Sequence, residues 1–290
     1  MALVTVVNAK GAPGCTTTAM LVAALWPRAT ILVDADPAGG DVALRLPDLG
    51  GRALDRDRGL LSLLPSARRG LSPGTVLEHV QTAMGGQPVV AGLAGPEQSM
   101  AVGPLWRVLA DAFASVPGAD VVVDAGQVHG QSPHLALLER SDLVLWVYRP
   151  TAWSVLHTRR RLEGLTDLVA ESSARVGVVA VAPLDRETDV SSGQTALRQD
   201  WDWLVGYGAV AEDRKAVAMF EGGQVHRPER TMLARSGRTL VDAMYAELPA
   251  AAREDASFDA EDESDETPED GELVTASAGK RRRRKSRRDR

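Results

Sequence analysis

The residues best suited to chemistry lie in one short stretch near the start of the sequence. The stretch reads, in order, Asn8, Ala9, Lys10, Gly11, Ala12, Pro13, Gly14, Cys15, Thr16 and Thr17. Its two glycines allow the backbone to fold around an anion, and free N–H groups at the start of a following helix attract phosphate. A hydroxyl in the first turn of that helix, such as that of Thr16, is a common Mg²⁺ ligand. The stretch therefore predicts a loop that binds phosphate groups.

This loop departs from the usual phosphate-loop pattern, G-x-x-x-x-G-K-S/T, at two positions. Ala9 stands where the pattern has its first glycine, and Cys15 stands where it has its lysine. A variant pattern, K-G-G-x-G-K-T-T, carries a second lysine at its start. Residues 10–17 match six of its seven specified positions if alanine is allowed for the second glycine. On the loop alone, a Gly/Pro turn without any ligand remains an alternative.

Acidic residues follow two of the predicted strands. Asp34 and Asp36 come directly after the second strand, in a D-x-D-P-x-G segment, and Asp124 ends a buried run of valines. Parallel strands bring their carboxyl ends to one edge of a sheet, so these carboxylates are expected near the loop. Carboxylates there can fix the shell of a Mg²⁺ ion and orient a water molecule. The alternative is structural: Asp34 would cap a helix and Asp124 a strand end.

Together, the loop and the acidic strand ends resemble the ParA/MinD family of partition and positioning ATPases. The order of the motifs follows the family over about residues 1–248, and residues 210–223 resemble its late segment at the adenine side. The resemblance implies a P-loop fold with ATP and Mg²⁺ as ligands, a nucleotide-dependent homodimer and an unidentified protein partner. It implies a cytoplasmic switch in partition, positioning or the localisation of secretion machinery, associated with the nucleoid or a membrane through a partner or the chain's own tail.

The same resemblance assigns roles to individual residues. Residues 10–17 would bind the nucleotide, and Asp36 would orient the attacking water. Thr16 would ligate Mg²⁺, with Asp34 and Asp124 supporting the shell of the ion. Lys10 would reach across the dimer to the phosphates of the partner, so Asp36 and Lys10 are the predicted catalytic residues.

The replacement of the loop lysine by Cys15 is expected to affect ATP binding and ATP hydrolysis to different degrees. A lost charge-assisted hydrogen bond to phosphate costs about 1.5–3 kcal/mol, and hydrolysis can lose more because stabilisation of developing charge is a large catalytic effect. A bound triphosphate would also favour the neutral thiol over a thiolate. We therefore expect weak, dimer-dependent ATP binding with slow or absent hydrolysis. The alternatives are a non-catalytic pseudo-ATPase scaffold and a nucleic-acid-binding adaptor.

Apolar runs of strand length alternate with helical patterns, which predicts an α/β fold. It would be a doubly wound, mostly parallel sheet of about seven strands with helices on both faces. The predicted strands are Leu3–Val7, Thr30–Val33, Pro88–Leu93, Asp120–Val123, Leu143–Val147, Val176–Val181 and Trp203–Val210. The predicted helices are Thr16–Leu25, Gln98–Ala114, Thr151–Val169 and Arg230–Leu248. Residues 47–87 are predicted to be irregular.

Charge divides the sequence into a folded domain, residues 1–250, and a disordered tail, residues 251–290. Residues 253–272 carry a net charge of −10, and residues 280–290 carry +8. Both blocks hold too few apolar residues to offset chain entropy. The basic block could bind nucleic acid or an anionic surface through phosphate contacts. The alternative is a solubilising tail that folds back onto its own acidic run.

Composition excludes several other classes of protein. The single cysteine cannot form an internal disulfide or ligate an iron–sulfur cluster, and no apolar run approaches the ~20 residues of a membrane span. A Rossmann dehydrogenase is disfavoured because G-x-G-x-x-G is absent. The five histidines lack metal-ligand spacing, and His129 and His134 are expected on a surface loop. Arg159, Arg160 and Arg161 are expected on a solvated helix face.

Overall fold

A computed structural model of the chain describes residues 1–10, 14–250 and 252. Its centre is one sheet in the order β3-β4-β2-β5-β1-β6-β7-β8. All neighbouring strands run parallel except β3 and β4. The strands are β1 (Leu3–Asn8), β2 (Thr30–Asp34), β3 (Gln81–Thr82), β4 (Pro88–Val90), β5 (Asp120–Gln127), β6 (Leu143–Tyr148), β7 (Arg175–Ala182) and β8 (Leu204–Ala211). The predicted parallel α/β sheet is confirmed, with one short antiparallel strand added at its edge.

Twelve α-helices lie in the described part of the chain. They are α1 (Cys15–Leu25), α2 (Val42–Arg45), α3 (Leu60–Ala67), α4 (Thr75–Glu78), α5 (Pro96–Val102), α6 (Leu105–Phe113), α7 (Leu135–Arg140), α8 (Ala152–Glu163), α9 (Thr166–Glu171), α10 (Glu187–Arg198), α11 (Arg214–Val217) and α12 (Met232–Glu247). Short 3₁₀ helices span Met84–Gly86, Leu184–Arg186, Ala218–Glu221 and Pro228–Arg230. None of the described helices is long and apolar enough to cross a bilayer.

The sheet separates two hydrophobic layers. Val4 and Val6 of β1 pack in the layer formed with α1 and α12, whereas Leu3 and Val7 pack in the opposite layer with α3, α6, α7, α8 and α10. This alternation follows from the period of two along a strand, which sends neighbouring side chains to opposite faces. A strand buried on both faces is mostly apolar, as the valine-rich centres of β1 and β5 are. The doubly wound arrangement is thereby confirmed.

Close packing holds α1, the helix that follows the phosphate loop. Gly237 of α12 is buried against it, and an added Cβ there would lie 2.7 Å from Cδ2 of Leu21. Only a residue without a side chain lets the two helices approach this closely. The position of α1, and with it the end of the loop, therefore depends on α12.

A buried carboxylate fixes the opposite, amino end of the central strands. Asp120 accepts hydrogen bonds from the backbone N–H of Ala2 and from Nε1 of Trp26, each at 2.7 Å. Arg28 adds an ion pair at 2.6 Å. These bonds join β1, β5 and the segment after α1 at the amino ends of the two strands. They therefore help to fix the register that brings the carboxyl ends of the strands together.

Two of the predicted helices are each divided in the structure. The predicted helix Gln98–Ala114 consists of α5 and α6, which separate at Gly103, whose φ is 49°, and Pro104. Proline lacks the N–H that would continue the first helix. The predicted helix Thr151–Val169 consists of α8 and α9, separated at Gly164 and Leu165. Residues 47–87, predicted as irregular, contain α3, α4 and β3.

Candidate functional site

The phosphate loop connects β1, in the middle of the sheet, to α1. Gly14 ends the loop with φ at 110°, and a Cβ added there would lie 3.2 Å from both methyl carbons of Val181. The positive φ favours glycine, and the methyl groups of Val181 leave little room for a side chain. Of the predicted nucleotide-binding residues, Gly11, Ala12 and Pro13 lie outside the described part of the chain, so their contacts remain predictions. Lys10 is exposed beside them.

Cys15 turns away from solvent at the first position of α1. Its side chain is buried, and its Sγ lies 3.8 Å from Oδ1 of Asp124. Burial, followed by the negative charge of Asp124, raises the pKa of this thiol well above its usual range. Cys15 is therefore a neutral thiol at physiological pH, and it offers no positive charge to a phosphate.

Asp124 lies next to Thr16 at the carboxyl end of β5. Burial raises the pKa of this carboxyl to about 6, interaction with the Thr16 hydroxyl opposes the shift, and the charge of Asp36 adds to it. Its Oδ1 accepts a hydrogen bond from the Gly126 N–H at 3.3 Å. Its Oδ2 is buried and has no hydrogen-bond partner among the described residues. A buried, unpaired carboxylate oxygen beside a hydroxyl fits a water of a Mg²⁺ shell.

The other described residues add no direct metal cage. Among residues 1–10, 14–250 and 252, no three His, Cys, Asp or Glu side chains are grouped to hold a metal ion. Mg²⁺ is commonly held by few protein ligands together with waters and substrate phosphates. The residues present therefore fit an ion that is bound mainly through a nucleotide.

Asp34 is fully enclosed at the end of β2. Its Oδ2 accepts a hydrogen bond from the Val42 N–H, at the start of α2, at 2.9 Å. A Cβ added at Gly40 or Gly92 would lie 2.4 or 2.7 Å from this carboxyl group. Burial, then the charge of Asp124, raises the pKa of Asp34 well above its usual range. The contact with Val42 fits the capping alternative, and the role of Asp34 near a metal stays a prediction.

Asp36 is half-buried and lies over the backbone of the neighbouring strand. It accepts a hydrogen bond from the Ala38 N–H at 2.8 Å, and a Cβ added at Gly126 would lie 2.2 Å from its Oδ2. Burial raises the pKa of Asp36, partly offset by that hydrogen bond. The structure thus brings Asp36, Asp124, Thr16 and Cys15 together, as the sequence predicted.

A pocket of about 250 Å³ opens beside the start of α1. Gly14, Thr17 and Thr18 form one wall, and the end of β8 with the residues after it forms the other. Arg149, directly after β6, lines the pocket and forms an ion pair of 2.5 Å with Glu212, which also lines it. The full lining comprises Gly14, Thr17, Thr18, Arg149, Val181, Val210, Ala211, Glu212, Asp213, Arg214, Val217, Glu221 and Leu233. Residues 210–217, expected at the adenine side, therefore line the pocket.

Three arginines near the loop were not identified from the sequence. Nη2 of Arg45 donates to Oγ1 of Thr17 at 3.1 Å, and Nε of Arg161 donates to the Ala9 carbonyl at 3.5 Å. Arg149 is the third. The expectation of a solvated face for residues 159–161 is wrong for Arg161, which is half-buried against the loop, and Arg159 pairs with Glu163 and Asp200. No local pattern signals such contacts, because the partners are distant in the sequence.

His134 is buried, which corrects its predicted place on the surface. Its Nε2 lies 2.9 Å from the carbonyl oxygen of Ala125, and its ring packs 5.8 Å from that of Trp106. Burial lowers the pKa of His134 to about 4, so the ring is neutral at pH 7 and donates this hydrogen bond. His134 thereby fixes the backbone directly after Asp124. His129 remains partly exposed.

The sequence matches no protein-family model and no curated protein. The fold matches many solved structures. A ParA family ATPase from Chlorobium tepidum TLS superposes with a TM-score of 0.65 at 18% identity, over 83% of this chain and 98% of that chain. An ATP complex of a Cyanothece McdA variant gives 0.62 at 16% identity, over 84% and 96%. The septum site-determining protein MinD from Pyrococcus horikoshii OT3, complexed with Mg-ADP, gives 0.59 at 15% identity, over 84% and 96%.

At these low sequence identities, the matches show a shared fold. The chain has the fold of ParA and MinD ATPases over about five-sixths of its length, and it covers nearly the whole of each matched chain. The resemblance inferred from the loop and the acidic strand ends is confirmed at that level.

Proposed function

We propose that the chain binds ATP and Mg²⁺ at the carboxyl edge of the sheet and acts as a dimerising switch of the ParA/MinD type. The switch would serve partition, positioning or the localisation of secretion machinery. One observation carries the proposal: Cys15, Thr16, Asp36 and Asp124 come together at the start of α1, where a pocket of about 250 Å³ opens. In parallel α/β sheets, ligands bind at this edge. The names of the ATP and Mg-ADP complexes that share the fold add support.

The phosphates would lie against the backbone N–H groups of residues 10–17, except Pro13, which has no N–H. That position uses the free donors at the start of α1. The base and ribose would occupy the pocket between Thr17 and residues 210–217. Arg149 and Glu212 would set the width of that pocket through their ion pair.

Thr16 and Asp124 would hold Mg²⁺, Thr16 through its hydroxyl and Asp124 through a water. The ion would neutralise phosphate charge. Asp36 would accept a hydrogen bond from the attacking water, and burial of its own carboxyl group is the main cause of its raised pKa. Asp34 would hold the loop from Ala35 to Val42 in place through the Val42 N–H.

Hydrolysis would be slow because Cys15 is neutral and faces Asp124. The loop then lacks the lysine that contacts the β- and γ-phosphates in this kind of site. Exposed Lys10 would supply a lysine contact across a dimer. Nucleotide affinity and self-association would therefore be linked, since each would stabilise the other.

Mass measurement of the intact protein with and without ATP and Mg²⁺ tests this proposal. We expect a dimer that forms only with nucleotide and is lost in Lys10→Ala. Arg69→Ala, at an exposed basic residue outside the pocket, is the matched control and should dimerise as the wild type does. A monomer under all conditions, or a dimer indifferent to Lys10→Ala, would contradict the proposed switch.

A non-catalytic scaffold is the second candidate, favoured by one further observation. Trp153 and Leu156, on α8, are 69% and 46% exposed, which is high for side chains of this size. Contiguous exposed apolar patches mark contact sites for partners, and these two side chains lie three residues apart, on one face of α8. A scaffold would retain partner binding when ATP binding is abolished, whereas the switch would lose it.

A further inference from the structure

Positively charged side chains with no role in the site so far lie at the carboxyl edge of the sheet. Three arginine side chains approach the loop that lacks its lysine: Arg45 from α2, Arg149 from the end of β6 and Arg161 from α8. A phosphate site needs cations that are free to turn toward the ligand. The three differ in how far their present partners already satisfy them.

Arg149 is already paired with a carboxylate, and Arg161 is directed at the beginning of the loop. Arg149 forms an ion pair of 2.5 Å with Glu212, and the two side chains are about equally buried, at 26% and 23% exposure. Arg161 contacts a carbonyl oxygen of the loop through Nε at 3.5 Å, which orients it toward the backbone at Ala9. These two residues shape the walls of the site.

Arg45 contacts α1 itself, in its first turn, and keeps donors for a further ligand. Its Nη2 donates to Oγ1 of Thr17 at 3.1 Å, and Thr17 lines the pocket two residues after Cys15. Its carboxylate partner, Glu221, is 3.6 Å away and 56% exposed. A guanidinium has five N–H donors in a planar fork, so the contact with Thr17 leaves donors for a phosphate.

We propose that Arg45 supplies the phosphate-binding charge that the loop has lost at Cys15. With a nucleotide bound, its guanidinium leaves Glu221 and donates to the phosphate oxygens beside Thr17. Arginine is suited to this task because it stays charged and can form two parallel hydrogen bonds to one phosphate. The inference rests on the proposed function, since it concerns the same nucleotide.

Titration with a fluorescent ATP analogue in Mg²⁺ measures the effect of Arg45→Gln. The expected result is an affinity roughly 10- to 100-fold weaker than that of the wild type, the loss of one charged hydrogen bond to phosphate. Arg52→Gln is the matched control, because Arg52 is 84% exposed and pairs with Asp48 in the segment after α2. It should bind within about twofold of the wild type, a change worth only a few tenths of a kcal/mol.

Restoring the lysine separates phosphate binding from a structural role. In a Cys15→Lys background, Arg45→Gln should cost less than about a third of its effect in the wild type, since two neighbouring groups that serve one function are not additive. An equal loss in both backgrounds would mean that Arg45 only braces α2 against α1, and would overturn the inference. Thermal unfolding without nucleotide confirms that each variant is folded.

If Arg45→Gln does not fold, Glu221→Gln tests the proposed role of Arg45 instead. Releasing Arg45 from this carboxylate should tighten ATP binding several-fold, whereas Glu229→Gln, on the 3₁₀ helix Pro228–Arg230, should not. Unchanged or weaker binding in Glu221→Gln would contradict the inference. Wild-type protein that binds no ATP would refute the proposed function itself, whereas wild type that binds with Arg45→Gln unchanged would refute the role of Arg45 alone.

Discussion

At the scale of single residues, the site is a cluster of buried acids without an adjacent lysine. Asp34 and Asp124 are fully buried at the ends of neighbouring strands, and Asp36 lies over Gly126 between them and solvent. Beyond the effect of burial, the charge of Asp124 raises the pKa of Asp34, and the charge of Asp36 raises the pKa of both. Such a cluster costs stability unless a cation neutralises it, which is typical of sites kept for function. The neutral thiol of Cys15 brings no charge and offsets this cost only through its hydrogen bond to Asp124.

Replacing Cys15 by lysine tests how much ATP affinity and hydrolysis are lost without the loop lysine. A charged lysine beside Asp124 and Asp36 should tighten ATP binding by about 1.5–3 kcal/mol, and hydrolysis should rise further. Measuring ATP affinity and phosphate release in wild type, Cys15→Lys and the neutral control Cys15→Ala checks this. Brisk hydrolysis by the wild type, or equal behaviour of the lysine and alanine variants, would contradict the account.

His134 gives the free protein a predictable dependence on pH. Its pKa is about 4 in the folded chain, below the ~6.5 of an unfolded histidine. As pH falls from 7 toward 4, the unfolded chain takes up the proton first, so the stability of the folded chain falls. Between pH 7 and pH 5, the titration of His134 should lower the free energy of unfolding by about 2 kcal/mol.

Unfolding of wild type and His134→Gln in denaturant at several pH values measures that contribution. The glutamine variant can still donate to the Ala125 carbonyl, and we expect its disadvantage at pH 7 to shrink as pH falls. Parallel curves for the two proteins from pH 7 to pH 5 would show that His134 does not titrate as its burial predicts.

At the scale of elements, strands were predicted better than helix breaks and contacts between elements. Val121, Val122 and Val123 form an apolar run that ends at an acid, and the structure extends that strand to Gln127. The break at Pro104 was signalled by the proline itself, yet helical spacing on both sides concealed it. Strand β3 has two residues, too few for a pattern. The contact of Arg45 with Thr17 joins residues 28 positions apart, which no local pattern encodes.

The contact of α12 with α1 should control the position of the loop. In Gly237→Leu the new side chain meets Leu21, so the free energy of unfolding should fall by about 1–3 kcal/mol and ATP affinity should weaken. Thr239→Leu, exposed on the same helix, is the matched control. Denaturant unfolding and ATP titration give the two values. A stable Gly237→Leu protein with unchanged affinity would show that α12 does not position the site.

At the scale of the whole molecule, the folded domain and the tail have separate chemistry. The domain holds the site, and the described residues end at 252, before the acidic and basic blocks. The predicted tail, residues 251–290, lies outside the described part of the chain except for Ala252, so its disorder and its ligands remain predictions. Its net charges of −10 and +8 fit both a phosphate-binding tail and one folded onto itself.

Neutralising the basic block tests what the tail binds. Changing the four arginines at 281–284 to glutamine should weaken binding to double-stranded DNA and make its salt dependence shallower, because fewer counterions are released. Neutralising Glu261, Asp262 and Glu263 is the matched control and should strengthen binding if the acidic run competes. A salt series by fluorescence anisotropy measures both. DNA binding that is unaffected by the arginine changes would assign it to the domain.

The central claim is that a nucleotide binds with its phosphates at the start of α1, and calorimetric titration with ATP tests it most directly. Wild-type protein should bind ATP saturably in Mg²⁺ and at least tenfold more weakly when Mg²⁺ is chelated or when Thr16 is changed to valine, since loss of the metal or of its hydroxyl ligand removes charge neutralisation at the phosphates. Thr195→Val, at an exposed threonine of α10, should bind as the wild type does. Absence of binding, or equal binding in Thr16→Val without any effect of Mg²⁺, would contradict the account.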